Sequence, residues 1–364
     1  LIESMNDHRL ILFVGSAISK FLPTNFPPGG TIANAVKHEL QSLDCLQRYD
    51  NQNYLKRIWG DVSFEGLLDL PDDKKKVLQL IYRLLGSNCQ PNSIHFFIAE
   101  LLDKNKISAI ITPNYDIAIE KAYDDHTNGK KLPIIYQKNQ YENIARKENG
   151  KQNIYNSPSR LLFKIHGSID APPEEIIYSL SQEGQGLPSW KKKLLKKLLT
   201  SKEILFLGYS GYDFDICPWL FREADIPINK IYWSVDDEKK LSPEAKGLLK
   251  KYRSELLHGD MRILFSNLCV DERLKSDINY SYYPPKDPKD ENINQWKLVE
   301  DAFGEIFNDE VENQIWLIKA LNKMGVGRDA MQQCISLLNR EKTRKDENRL
   351  SIIEREMGEA LFHP

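Results

Sequence analysis

Short apolar runs ending in small or polar residues recur along this chain, with amphipathic stretches between them. Arg9–Val14, Ile107–Thr112, Leu161–Ile165, Glu203–Leu207 and Lys230–Val235 are brief, largely apolar and bounded by turn residues. That pattern fits strands buried on both faces of a parallel sheet. Pro133–Tyr136 reads as one more short strand, and Met261–Phe265 as another, directly after His258-Gly259-Asp260. Apolar residues at helical spacing predict helices over Thr31–Leu43, Pro71–Leu85, His95–Leu102, Ile117–Tyr123 and Lys191–Leu199. Alternating strands and helices predict an α/β fold, a Rossmann-like parallel sheet flanked by helices. The polar stretch 124–160 reads as an excursion or lid. Tyr280–Pro288 is proline-rich and reads as a linker. Beyond it, Gln295–Phe307, Glu312–Met324 and Asp329–Arg340 predict a small C-terminal all-α segment, the opening of a helical-repeat array or a partner-docking region. The expected division is therefore 1–285 and 286–364.

The placement of the polar residues carries the functional signal. Gly15-Ser16-Ala17-Ile18-Ser19, Thr112-Pro113-Asn114-Tyr115-Asp116, His166-Gly167 and Gly208-Tyr209-Ser210 each follow the C-terminal end of a strand. In open α/β sheets the ligand crevice lies outside those ends, so four strands aim polar groups at one crevice. Each motif also has a structural reading. The Gly15 turn lets backbone N–H groups approach a pyrophosphate, or is a plain strand-to-helix turn. It departs from G-x-G-x-x-G, with Ala17 where a second glycine would stand. Asn114 or Asp116 caps the following helix, or Asn114 projects its amide at a ribose hydroxyl or a water. His166 is a satisfied core histidine or a general base, with Gly167 leaving room for a ligand or another loop beside the ring. Asp213 and Asp215 are helix-capping anions rather than metal ligands, since no neighbouring His or Cys in the sequence supports a metal. The lysines of 191–197 read as the solvated face of a helix whose leucines face the sheet.

Composition narrows the options. The chain has 364 residues, with 50 Lys plus Arg against 52 Asp plus Glu, for a net charge of −2. Such balance disfavours direct binding of nucleic acid. The cysteines, Cys45, Cys89, Cys217, Cys269 and Cys334, are never closer than 44 positions, so no C-x-x-C zinc module exists. Their sparse, odd number suits a reducing cytoplasm. No apolar run reaches the ~18 residues needed to span a membrane. The start, Leu1-Ile2-Glu3-Ser4, has no signal-peptide pattern and no initiator Met, so a piece of a longer chain is expected.

Taken in order, the four strand-end motifs resemble those of the sirtuin family of NAD-consuming enzymes: G-A-G-x-S, T-x-N-x-D, a catalytic H-G and G-x-S. N-Y-D and G-Y-S-G-x-D-F-D look like the divergent bacterial branch found in anti-phage defence. The resemblance spans roughly residues 8–270. It implies hydrolysis of NAD+ to nicotinamide and ADP-ribose or a cyclic form, by a regulated effector that depletes the cofactor. On that resemblance Asn114 positions water or ribose hydroxyls, His166 is the general base and Asp116 orients that group or a loop. Gly15, Ser16, Ala17, Ser19 and Thr112 belong to the NAD+ site, as do Gly208, Ser210 and Asp213, with Asp260 near the adenine end and no metal required. A homo-oligomer, or a partner protein docked on the C-terminal helices, is the implied control. Deacylating sirtuins carry a four-cysteine zinc module that this spacing forbids, which places an NAD-dependent deacylase or ADP-ribosyltransferase second. A non-catalytic nucleotide-sensing or assembly module is the alternative of another class.

Overall fold

The computed structural model describes residues 1–41, 62–86, 89–149, 160–275, 295–344 and 346–362. The expected linker at Tyr280–Pro288, the residue Cys45 and the end of the polar stretch 124–160 lie outside them.

Seven strands form one all-parallel sheet: β1 (Leu10–Val14), β2 (Ala109–Thr112), β3 (Ile134–Ile135), β4 (Leu162–Lys164), β5 (Glu203–Leu207), β6 (Lys230–Val235) and β7 (Ser254–His258). Their order is β3-β4-β2-β1-β5-β6-β7. The Rossmann-like α/β expectation holds. Alternate residues of each strand enter different apolar clusters. Ile11, Phe13, Ile111, Phe163, Ile204, Phe206 and Trp233 join one, and Leu10, Leu12, Ile110, Leu162, Leu205 and Tyr232 join the other. Period-two alternation sends those sets to opposite faces, which is why the strands read as unbroken apolar runs.

One strand expectation fails. Met261–Phe265 opens a helix, Met261–Val270, whose N-terminus is capped by the Asp260 carboxylate accepting from Arg262 N at 2.8 Å. The seventh strand is Ser254–His258 instead, an edge strand with no fully buried residue. A five-residue apolar run is compatible with either element. Here the capping aspartate decides it, because a satisfied first-turn N–H favours the helix. The polar stretch after residue 124 also holds a helix, Lys138–Asn149.

The chain separates into two compact units: residues 1–28 with 85–293, and residues 29–84 with 294–364. The first holds the sheet. The second is helical, with Gly29–Gln41, Phe64–Leu68, Gln295–Ile306, Glu310–Lys323, Gly327–Arg344 and Glu347–Phe362. Residues 29–84, placed by sequence with the sheet, thus group with the late helices. Within that unit Trp316 packs against Phe303 and Phe307, and its indole donates to Leu67 O at 3.1 Å. Amphipathic spacing announces an apolar face but not which other face it meets.

Candidate functional site

The sheet register brings two loops together. Thr112 at the end of β2 is paired with Lys164 at the end of β4. Asn114 and His166, each two residues further on, therefore emerge from neighbouring strands. On the other side β1 lies between β2 and β5, so the Gly15 and Gly208 turns adjoin.

Those two turns are built against each other. Gly15 N donates to Leu207 O at 2.8 Å and Ala17 N to Gly208 O at 3.2 Å. A Cβ on Gly15 would stand 2.4 Å from Gly208 O. Gly208 has φ +59°, and a Cβ there would meet Ile18 N at 3.0 Å and Ala17 Cβ at 3.2 Å. Glycine is thus required at both positions by the neighbouring loop itself. The Ala17 methyl sits beside Gly208, while Ser16 and Ser210 are exposed on the two turns.

Ser19 is buried and serves the fold. Its Oγ lies 3.1 Å from His95 Nε2 and donates to Asp116 Oδ2 at 3.1 Å. His95 Nδ1 accepts from Asn92 N at 3.1 Å, so its Nε2 carries the proton and donates to Ser19. Burial depresses the His95 pKa to about 4, against the opposing charge of Asp116, which fixes this neutral form. The other Asp116 oxygen accepts from Ala118 N at 3.0 Å at the start of the next helix. Asp116 therefore uses both oxygens to hold loops. Thr112 does similar work: its Oγ1 donates to Val14 O at 2.7 Å and accepts from Asn114 N at 3.0 Å. Sequence reading assigned Thr112 and Ser19 to NAD+; their hydroxyls face the protein. The Asn114 side chain differs. It is buried, yet among the described residues its Nδ2 has no hydrogen-bond partner.

His166 sits in a nest of carboxylates. Its Nε2 lies 3.0 Å from Asp215 Oδ1 and 3.2 Å from Oδ2. Its Nδ1 is 3.8 Å from Asp213 Oδ1 and 3.9 Å from Glu183 Oε1, beyond hydrogen-bond length. Burial alone would lower the ring's pKa; the charge and hydrogen bond of Asp215, then Glu183 and Asp213, outweigh it and raise the pKa to about 9. Burial also raises the Asp213 pKa. Gly167 has φ +87°, and a Cβ on it would stand 2.4 Å from Glu175 O. The space beside the histidine is thus taken by the chain's own loop. Asp215 was expected to cap a helix and Asp213 to bind cofactor, whereas both face His166.

Two lysines complete the surroundings. Lys191, expected on a solvated face, is buried, and its Nζ donates to Ile165 O. Burial lowers its pKa to about 8, opposed by Asp215 and Glu175. Lys164 is buried among polar groups of both loops. Asp260 caps the helix after β7 and pairs with Arg262, whose guanidinium lies 4.7 Å from the Phe21 ring. Sequence reading missed His95, Glu183 and Lys164. None stands in a strand-end motif with a small-residue turn, although His95 does follow an Asn-Ser helix start.

Chemically, the strand ends offer an amide donor without a partner, a histidine with a bonded carboxylate, and two close-packed glycine turns. Residues 108–257 match the family model described as a SIR2-like domain. The matched stretch runs from just before β2 into β7. It takes in Asn114, His166 and the Gly208–Asp215 loop, and stops short of the Gly15 turn. Comparison with curated proteins finds no match.

Proposed function

We propose that this chain hydrolyses NAD+ at the bond between nicotinamide and ribose. A SIR2-like domain points to NAD-related chemistry. The observation that carries the finer reading is the pairing of Asn114 and His166 at adjacent strand ends, with Asn114 Nδ2 buried and unpartnered. A buried amide donor left without an acceptor costs roughly 1–3 kcal/mol. An acceptor supplied by the substrate, such as a ribose hydroxyl oxygen or the attacking water, recovers that cost.

In this reading the C1′–N1 bond breaks and its electron pair leaves with neutral nicotinamide. Water attacks the oxocarbenium-like C1′ and gives a proton to His166. Nε2 is committed to Asp215, so Nδ1 takes it, as the nitrogen that lies beyond hydrogen-bond length from both Asp213 and Glu183. Asp215 orients the ring and stabilises its charged form. A raised pKa means that the ring must first lose its proton, so the free enzyme is base-limited at neutral pH. The Gly15 and Gly208 turns, with the Ser16 and Ser210 hydroxyls, would face the diphosphate. Ser19, Thr112 and Asp116 act through the loops they hold.

By the same family resemblance, the chain acts as a regulated NAD+-depleting effector of bacterial anti-phage defence, kept silent until a partner or self-assembly engages the helical unit. The decisive experiment measures nicotinamide release from NAD+ by the purified chain, alone and with candidate activators. Equal nicotinamide and ADP-ribose are expected, with at least a ~10²-fold loss for N114A and H166A. NAD+ binding without nicotinamide release would favour a sensing module, and wild-type turnover by both variants would sink the assignment. Turnover of acyl-lysine would favour a deacylase.

A further inference from the structure

The Asn114 and His166 loops share one tether. Lys164, the last residue of β4, is 1% exposed, and its ammonium has four acceptors. It donates to Asp116 O at 2.6 Å, Ser168 Oγ at 2.7 Å and Glu120 Oε1 at 2.7 Å, and reaches Tyr115 O at 3.2 Å. Tyr115 and Asp116 directly follow Asn114. Ser168 follows His166 by two residues. Glu120, on the helix Ala118–Thr127, supplies the counter-charge. A backbone bond, Ile169 N to Tyr115 O at 3.0 Å, runs parallel to this tether.

We propose that Lys164 is a positioning residue for the hydrolase reaction above, fixing the spacing between Asn114 and His166 by clamping their two loops to one ammonium. Burying this charge serves little purpose for stability alone, because a buried ion pair is commonly no better than apolar packing. Its value lies in geometry: three protons on one atom address three different segments. No apolar side chain could do the same. Misplacement of about 1 Å between catalytic groups can cost ~10²-fold in rate.

The inference rests on the hydrolase reading only for its kinetic arm, so the test has two arms on the full chain. K164M alone would leave Glu120 buried without a counter-charge, so the informative variants are K164M/E120M and S168A. In the first arm, amide hydrogen exchange is followed by mass spectrometry. Exchange in residues 113–117 and 166–170 should rise together about tenfold in K164M/E120M, and less in S168A, with β5 and β6 unchanged. Unchanged exchange in both loops overturns the tether. In the second arm, kcat for nicotinamide release should fall at least tenfold while KM for NAD+ moves little. Unchanged kcat in an active background also overturns it. Failure of the wild-type chain to release nicotinamide under any condition counts against the hydrolase reading, and the exchange arm then decides the tether.

Discussion

A histidine among three carboxylates is a different reagent from a histidine alone. With its pKa raised to about 9, His166 gains its basic form only as pH climbs towards that value. Nicotinamide release should therefore rise with pH through the neutral range, reach half its maximum near pH 9 and level off only above it. Asp215 is the first of the carboxylates that raise it. D215N should move the rising limb to lower pH by one to two units, on the order of a typical carboxylate effect. It should also lower the plateau about tenfold or more through lost ring orientation. A pH profile of kcat/KM checks both, and a limb that stays in place would remove Asp215 from the assignment. Asn114 gives a complementary case. N114D keeps the shape but replaces the unpartnered donor by an acceptor. NAD+ binding by calorimetry should weaken about tenfold or more, since an acceptor then faces an acceptor.

At the level of elements, the strand-end turns are fitted backbone to backbone. G208A would force alanine into φ +59° and bring its Cβ to 3.0 Å from Ile18 N. The chain should lose about 2 kcal/mol of stability, measured as a shift in urea midpoint at constant slope. A variant as stable as wild type would show that the loops part easily. These turns illustrate what was legible in sequence. Glycines and serines after apolar runs announced both the strands and the turns at their ends, because buried parallel strands leave polar residues only at their ends. The purpose of the glycines was less visible: they admit the neighbouring loop. Six strands were readable from apolar runs, whereas β7 was not, since Ser254–His258 is an exposed edge with no such run. The site partners were the hardest part. Ser19 and His95 are 76 positions apart, and His166 and Asp215 are 49 apart. Nothing local in the sequence pairs such residues; the order β4-β2-β1-β5 does. Lys191 shows the converse error, where a lysine in a run of lysines is taken for solvent-facing although its own place in the helix turns it inward.

At the scale of the whole molecule, two buried histidines pull the pH dependence of folding in opposite directions. His95 is held neutral with its pKa depressed to about 4, below its unfolded value near 6.5. The unfolded chain therefore binds this proton more readily. The contribution of His95 is complete above pH 6.5 and is lost as pH falls towards 4, by about 1.4 kcal/mol per pH unit. His166 has its folded pKa raised to about 9. Its contribution is complete below pH 6.5 and is lost as pH rises towards 9 at a similar slope. Their combined contribution is greatest near pH 6.5, whereas turnover, on the proposed role of neutral His166, should improve above it. On the proposed role of His166, catalysis and stability would oppose each other at the same side chain. Melting curves from pH 4 to 10 test this by difference. H95Q keeps an amide donor towards Ser19 but no titration, so its melting temperature should fall less steeply than wild type on the acid side and match its slope on the alkaline side. H166Q should flatten the alkaline side alone. Parallel curves for wild type and both variants would mean that neither ring changes its proton affinity on folding.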